Sequence, residues 1–308
     1  MNRKHKYLII YPLLTVSMVL WAYSYIWAKI ALEFYAPITV IFARTTISAI
    51  ILIPVLFILK KMIRIEKKHI PHFLLLAIFE PFLYFIGETT GISKVDPSTA
   101  AVIISTIPLF TPIAARIFLS EKVSVLNIIG IVISVFGIGI IVLTKGFQLE
   151  ISTDGLLFLV LAVVAAIGYS VKVKRMPGNY SIFTTIFYQN LIGSMFFLPL
   201  MLVLESQNIL STGFVPEAGY AIIKLGFFAS TIAFMFYMYA LKFMEITKVN
   251  IFTNIIPVFT IIFSWLILDE IISIKKVVGM IVVICGVLIS QFNYKIIQQK
   301  RERKAGNT

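Results

Sequence analysis

Pro108-Leu-Phe-Thr-Pro-Ile-Ala-Ala-Arg-Ile-Phe-Leu-Ser-Glu121 returns in outline, 149 residues later, as Pro257-Val-Phe-Thr-Ile-Ile-Phe-Ser-Trp-Leu-Ile-Leu-Asp-Glu270. The same separation joins Ser124 to Ser273, Gly130 to Gly279 and Gly137 to Gly286. Nearer the N-terminus, Tyr23-Ser24 recurs at Tyr169-Ser170 after 146 residues. Thr39, Phe42, Ile47 and Pro54 recur at Thr184, Phe187, Ile192 and Pro199 after 145. One pattern of hydrophobic segments is therefore written twice in this chain.

The solvent for that pattern follows from composition. Hydrophobic residues fill 59% of 308 positions and charged residues only 13%, too few to coat a water-soluble globule of this size. Net charge is +13, but the basic residues fall between apolar runs, so they report membrane orientation and not nucleic-acid binding. Cys285 is the single cysteine, which excludes an intrachain disulfide. The first apolar run, Leu8 to Leu32, exceeds a signal-peptide core and has no small-residue cleavage site, so it reads as a retained span.

A helix needs about 20 apolar residues to cross the hydrocarbon core. That yardstick predicts ten spans, near 9–32, 37–59, 72–92, 97–119, 125–144, 155–174, 182–204, 218–241, 247–268 and 275–294. The expected fold is all-α and polytopic, with five-helix repeats over 8–144 and 155–294 and a basic tail over 295–308. Nineteen Lys and Arg fall on one side of this arrangement; Lys94, Lys145, Lys275 and Lys276 are the four on the other. Both termini are accordingly expected in the cytoplasm of a cell-membrane protein. Five spans per repeat force the second copy to enter upside down, and Glu121 and Glu270 then fall on opposite sides. Inverted repeats of this kind build carriers that rock around a central site.

Several motifs resemble the EamA family of the drug/metabolite transporter superfamily. Leu20-Trp21-Ala22-Tyr23-Ser24 followed by Lys29 is similar to that family's Trp-Gly-Ser…Lys opening, with Ala22 in place of the usual glycine. Phe42-Ala43-Arg44 looks like its second-helix arginine motif. Ser98 through Pro108 to Leu119-Ser120-Glu121 and Gly130 looks like its proline, Leu-Gly-Glu and glycine pattern, and Val249 to Gly279 repeats it. The resemblance implies a ten-helix carrier with a central cavity lined mainly by spans 1, 3, 4, 6, 8 and 9. It also implies movement of small metabolites, often amino acids outward.

Glu80 and Glu88, both in span 3, are acids that the family does not generally require. A charge at mid-bilayer costs about 2.5–3.5 kcal/mol on insertion scales, so Glu80 is expected to face the bundle interior. There it serves proton coupling or a substrate ammonium, or simply ties span 3 to a neighbour. Glu80, Tyr84 and Glu88 recur at four-residue steps and should share a stripe. Glu88 has two candidate structural partners, Lys29 and Arg44; Arg44 can alternatively hold a substrate carboxylate. Ser105, Asn250 and Asn254 offer polar groups for substrate or for bonds between helices. Trp21, Tyr23, Ser24 and Tyr169 lie near mid-membrane, where they line a cavity or pack. Pro108 and Pro257 interrupt spans 4 and 9 and are read as conformational elements. Glu121 and Glu270 should cap the helices that follow them. The glycines of spans 5 and 10 form close-packing surfaces, within the monomer or in a homodimer.

His69 and His72 lack a third metal ligand, no phosphate-binding Gly-x-x-x-x-Gly-Lys occurs, and no catalytic Ser/His/Asp or Cys/His set stands out. No cofactor and no enzymatic activity are expected. The expected partners are a small-molecule substrate, the lipid bilayer and coupling protons. The rivals are a sugar-phosphate or nucleotide-sugar carrier, which needs cations such as Arg44 and Lys224 at the cavity, a membrane-embedded enzyme and a non-transporting scaffold or sensor.

Overall fold

The computed structural model describes residues 3–61, 64–119, 124–143, 149, 151–174, 176, 180–243, 249 and 252–305. Glu121, Lys145 and Asn250, all singled out above, lie outside the described residues. Among the described residues the regular structure is helical, apart from one isolated bridge between Leu143 and Leu149.

Among these residues, eight helical rods are long and apolar enough to cross a bilayer. They are α1 (Ile9–Leu32), α2 (Pro37–Ile58), α3 (Lys67–Lys94), α4 (Pro97–Phe118), α5 (Val125–Val142), α6 (Thr153–Val173), α7 (Ile182–Thr212) and α8 (Pro216–Ala240). A shorter apolar helix follows, α9 (Ile255–Ile267), and then α10 (Ile274–Ala305). The surface is inverted relative to a soluble protein. Phe57, Val132, Val203 and Trp265 are exposed while Arg44, Thr45, Ser48 and Glu88 are buried. Such an apolar exterior suits contact with lipid.

Local chemistry sets the helix starts. α2, α4 and α8 each begin with a proline, whose fixed φ suits the first turn and whose missing N–H would have been unpaired there. α5 starts with a reciprocal box between Ser124 and Asn127. The Ser181 side chain accepts from Thr184 N at the start of α7. The capping expectation for Glu270 needs correction: its carboxylate serves the facing helix, accepting from Ser98 Oγ at the start of α4.

Pro108 and Pro257 also sit differently from expectation. Each lies in the first turn of a helical segment, Ile107–Leu119 and Ile255–Ile267, just after a break at Ser105–Thr106 and at Asn254. The interruptions are real and occur at corresponding places in the two copies. The prolines restart a helix where no N–H is needed, and do not bend a continuous one.

α3 and α8 share a second departure. α3 is π-helical over Ile78–Leu83, where Glu80 adopts an extended backbone (φ −146°, ψ 119°). Pro81 disfavours the α conformation for the residue before it. α8 is π-helical over Leu225–Ala233.

Helix contacts come in matched pairs when the first five rods are exchanged for the second five. α3 packs on α6 as α8 packs on α1, and α1 packs on α9 as α6 packs on α4; α2 meets α7, α4 meets α9 and α5 meets α10. The α5–α10 contact is antiparallel: Gly130 abuts Gly286 and Gly137 abuts Gly279. Each glycine thus faces the repeat counterpart of the other. A Cβ on Gly137 would stand 2.8 Å from Val283 N and 2.9 Å from Gly279 O, so only hydrogen fits. Ser134 Oγ donates to Val283 O at 3.1 Å and Asn127 Nδ2 to Ser290 O at 2.8 Å, fixing the register. These glycine faces are used within one chain.

Candidate functional site

The break in α3 gives Glu80 an extended backbone between the helical stretches on either side of it. Gln189 Nε2 on α7 donates to the Glu80 carbonyl at 3.0 Å, and Tyr169 OH on α6 donates to Gln189 Oε1 at 3.3 Å. A carbonyl at the break in the helix is thereby satisfied from another helix. Pro81 fits against Gly193 of α7, where any larger residue would collide.

Beside the break lies a cavity of about 20 Å³ lined by Glu80, Pro81 and Phe85 of α3, Tyr169 of α6, Ile186, Gln189 and Asn190 of α7, and Phe234 of α8. Both halves of the chain contribute. The volume admits roughly one water, so the described conformation holds no solute-sized space beside Glu80. Among the described residues, no group donates a hydrogen bond to the Glu80 carboxylate.

Glu88 is held differently. Its Oε1 accepts from Tyr84 OH at 2.9 Å, and its Oε2 pairs with Arg44 Nη1 at 3.4 Å. Arg44 also donates from Nε to Ser230 Oγ of α8 at 3.1 Å, and its guanidinium lies 4.1 Å from the Phe85 ring centroid. Its Nε, one terminal nitrogen and one face of the guanidinium plane are therefore engaged. Of the two expected partners for Glu88, Arg44 is the one found. Lys29 instead donates to the carbonyls of Ile92 and Val95, at 3.1 and 3.3 Å, closing the end of α3.

A polar seam continues between α2, α7 and α8. Asn190 Nδ2 donates to Ser48 Oγ at 3.0 Å, Ser48 Oγ donates to Ser230 O at 3.0 Å, and Thr231 Oγ1 donates to Ser48 Oγ at 2.9 Å. Side-chain bonds of this sort join helices where lipid offers no partner.

The remaining expected site residues divide. Trp21 flanks the cavity wall, with its ring centroid 5.1 Å from that of Phe234 and 5.0 Å from that of Tyr237. Tyr23 stacks on Phe263 and Trp27 at the α1–α9 contact. Ser24 and Ser105 bond to carbonyls of their own helices, Trp21 O and Val102 O. Asn254 is buried with both amide atoms unpartnered, at the break before α9. Lys224 is exposed. His69 meets Tyr180 OH at 2.8 Å, and the described residues contain no cluster of metal-ligating side chains.

Sequence reasoning missed Gln189, Asn190, Ser48, Ser230, Phe85 and Phe234. One signal was present: Gln189 lies 145 residues after Arg44, the separation that joins the second span of each copy. The two residues do related work, Arg44 reaching Ser230 of α8 and Gln189 reaching Glu80 of α3.

The far end of the bundle is tied shut by polar contacts. Glu205 accepts from Ile38 N and Thr39 N at the start of α2, at 3.0 and 2.7 Å, which suits a carboxylate at a helix N-terminus. Tyr35 OH donates to Gly213 O at 2.8 Å, and Lys276 bridges Asp96 at 2.6 Å and Glu270 at 2.9 Å.

A family model for the EamA-like transporter family matches residues 8–143 and again 153–292. Among similar curated proteins is the uncharacterized transporter YoaV of Bacillus subtilis, 22% identical, with 92% of this chain and 96% of that protein covered. YcxC of the same organism, also named an uncharacterized transporter, is 28% identical over 91% of each chain. An uncharacterized transporter of Archaeoglobus fulgidus is 26% identical, covering 90% of this chain and 96% of its own. A solved crystal structure overlays 92% of this chain and 97% of its own at a TM-score of 0.65 with 14% identity, a likeness of fold alone.

Proposed function

The chain belongs to the EamA-like transporter family, and on that premise we propose that it is a secondary transporter working by alternating access, carrying a small polar metabolite of the amino-acid or amine type outward across the cell membrane. The observation that carries this reading is Glu80: a carboxylate with no hydrogen-bond donor among the described residues, at a cavity to which both halves contribute. An acid within a membrane bundle is expensive to retain and marks a pathway or coupling site. The antiparallel α5–α10 pair and the matched helix contacts support two inverted five-helix repeats making ten crossings. The distribution of Lys and Arg supports cytoplasmic termini. The cavity is too small for a solute, so the halves must part to admit one.

Two observations weigh on the rivals. A sugar-phosphate carrier needs free cations at the cavity, yet Arg44 is paired and Lys224 is exposed. The small cavity volume favours, as a second reading, a scaffold or sensor that transports nothing. Reconstituted vesicles separate the two. Wild-type protein should move solutes from a metabolite panel in a manner sensitive to a pH gradient, and Glu80→Gln should abolish or decouple that flux. Unchanged flux and pH dependence in the variant reject the role of Glu80; a panel in which nothing moves favours the scaffold.

A further inference from the structure

We propose that Lys29, Glu270 and Lys276 form a latch that shuts the solute path on the face of the bundle opposite the termini, and that Thr89, Thr99 and Ser264 line the path beneath it when the latch parts. This deepens the carrier reading and rests on it.

The central helices fall into two packed sets, each drawn from both repeats. α1 packs with α8 and α9, and α6 packs with α3 and α4. The sets meet at a seam where α4 touches α9 and α1 touches α3 and α4. Lys29 of α1 crosses this seam to the carbonyls of Ile92 and Val95, at the C-terminus of α3. Glu270, just after α9, crosses it to accept from Ser98 N and Ser98 Oγ at the start of α4. The turn at Val95 and Asp96 thus joins a helix C-terminus to a helix N-terminus, and the facing set offers a cation to the first and an anion to the second. Both helix dipoles are met in the favourable sense. Lys276 at the start of α10 bonds to Asp96 at 2.6 Å and to Glu270 at 2.9 Å, which holds the acid in place. Two neighbouring ties on this face stay within one set. Lys94 and Asp154, 3.6 Å apart, join α3 to α6, and Tyr35 joins the end of α1 to Gly213 before α8.

Beneath the latch, helices of both sets carry hydroxyls that nothing satisfies. Thr89 Oγ1 of α3, Thr99 Oγ1 of α4 and Ser264 Oγ of α9 are buried with no hydrogen-bond partner. Thr99 lies in the first turn of α4 and Ser264 in the last turn of α9. Thr89 stands about 8 Å below the end of α3, at 1.5 Å per residue. A hydroxyl inside a helix commonly bonds back to a carbonyl of the preceding turn, as Thr45, Thr111 and Thr260 do. An unpaired buried hydroxyl is costly. Three of them toward one face, on helices of both sets, are explained by a second arrangement in which water covers them. Asn254, unpartnered at the break before α9, continues the polar wall toward the interior.

A tie made only in the closed arrangement stabilises that arrangement alone, so its loss shifts the population toward the open one. The shift is visible as access to the seam and needs no solute, which keeps its outcome separate from that of a flux assay.

The test uses the full chain in a Cys285→Ser background, with one reporter cysteine at a time. Thr99→Cys and Ser264→Cys report the seam. Leu159→Cys, buried against Gly91 within the α3–α6 pair, reports general loosening. Proteoliposomes in which Lys94→Cys is labelled from outside are treated with a small, membrane-impermeant trimethylammonium methanethiosulfonate. With the latch intact all three reporters should react slowly. Lys29→Met combined with Glu270→Gln should raise the labelling rate at Thr99→Cys and Ser264→Cys about tenfold or more, and leave Leu159→Cys unchanged. If that pair of changes prevents folding, Lys276→Gln, which releases Asp96 and loosens Glu270, should raise the same two rates by less. Unchanged rates at both seam reporters in a folded latch variant overturn the inference, and so does an equal rise at Leu159→Cys. Either result leaves the carrier reading standing, since that reading falls only when a metabolite panel gives no flux.

Discussion

Replacing Glu88 with Gln tests the charge balance of the interior most directly. The Arg44 and Glu88 side chains are 4% and 8% exposed with their nitrogen and oxygen 3.4 Å apart. At an effective dielectric near 20, that separation corresponds to about 5 kcal/mol of attraction. Glutamine keeps the shape and can still accept from Tyr84, so the substitution isolates the charge. It leaves the Arg44 guanidinium buried with only Ser230 and Phe85 beside it. Stranding one member of a buried pair typically costs about 3–5 kcal/mol, and the expected loss lies in that range. Combining Glu88→Gln with Arg44→Gln removes both charges and should recover most of it, leaving a deficit of about 1–2 kcal/mol from lost hydrogen bonds. Equilibrium unfolding in mixed detergent–dodecyl sulfate micelles reads all three variants, and the double-mutant cycle gives the coupling. If Glu88→Gln costs less than about 1 kcal/mol, or if the double variant is as unstable as the two single losses added, the pair does not hold the interior together as argued.

Two further outcomes follow from the geometry. Gly137→Leu should destabilise the α5–α10 contact by about 1–3 kcal/mol through overpacking, while Gly139→Ala, whose nearest neighbour would be Leu143 Cδ1 at 3.8 Å, should be nearly neutral; thermal stability in detergent distinguishes them. In a Cys285→Ser background, Lys67→Cys should be labelled by an impermeant maleimide only from the cytoplasmic side and Lys94→Cys only from the opposite side; labelling from one common side overturns the orientation.

Much of the helix layout was legible because lipid imposes it. A span must be long, apolar and internally hydrogen-bonded, so α1 to α8 stand close to the stretches read from hydropathy. The break in α3 was foreshadowed by Glu80-Pro81, since proline acts on its immediate neighbour. The misreadings share a cause. Glu270 was assigned as a cap of the helix that follows it, but besides pairing with Lys276 of that helix its oxygens meet Ser98, 172 residues away. Tyr23 and Tyr169 are repeat counterparts with different surroundings, one stacked on Phe263 and the other bonded to Gln189. Local sequence carries the offset between two residues on one helix, and says nothing of which helix lies opposite.

The sequence by itself determined that the chain is a duplicated bundle for a membrane, because hydrophobic run length and repeat spacing are one-dimensional quantities. Only the tertiary structure decided that Arg44 pairs with Glu88 while Glu80 has no donor among the described residues. That division depends on the rotation of α2, α3, α7 and α8 about their axes. Rotation is set by the packing of many side chains at once, Pro81 against Gly193 among them, and no single segment encodes it.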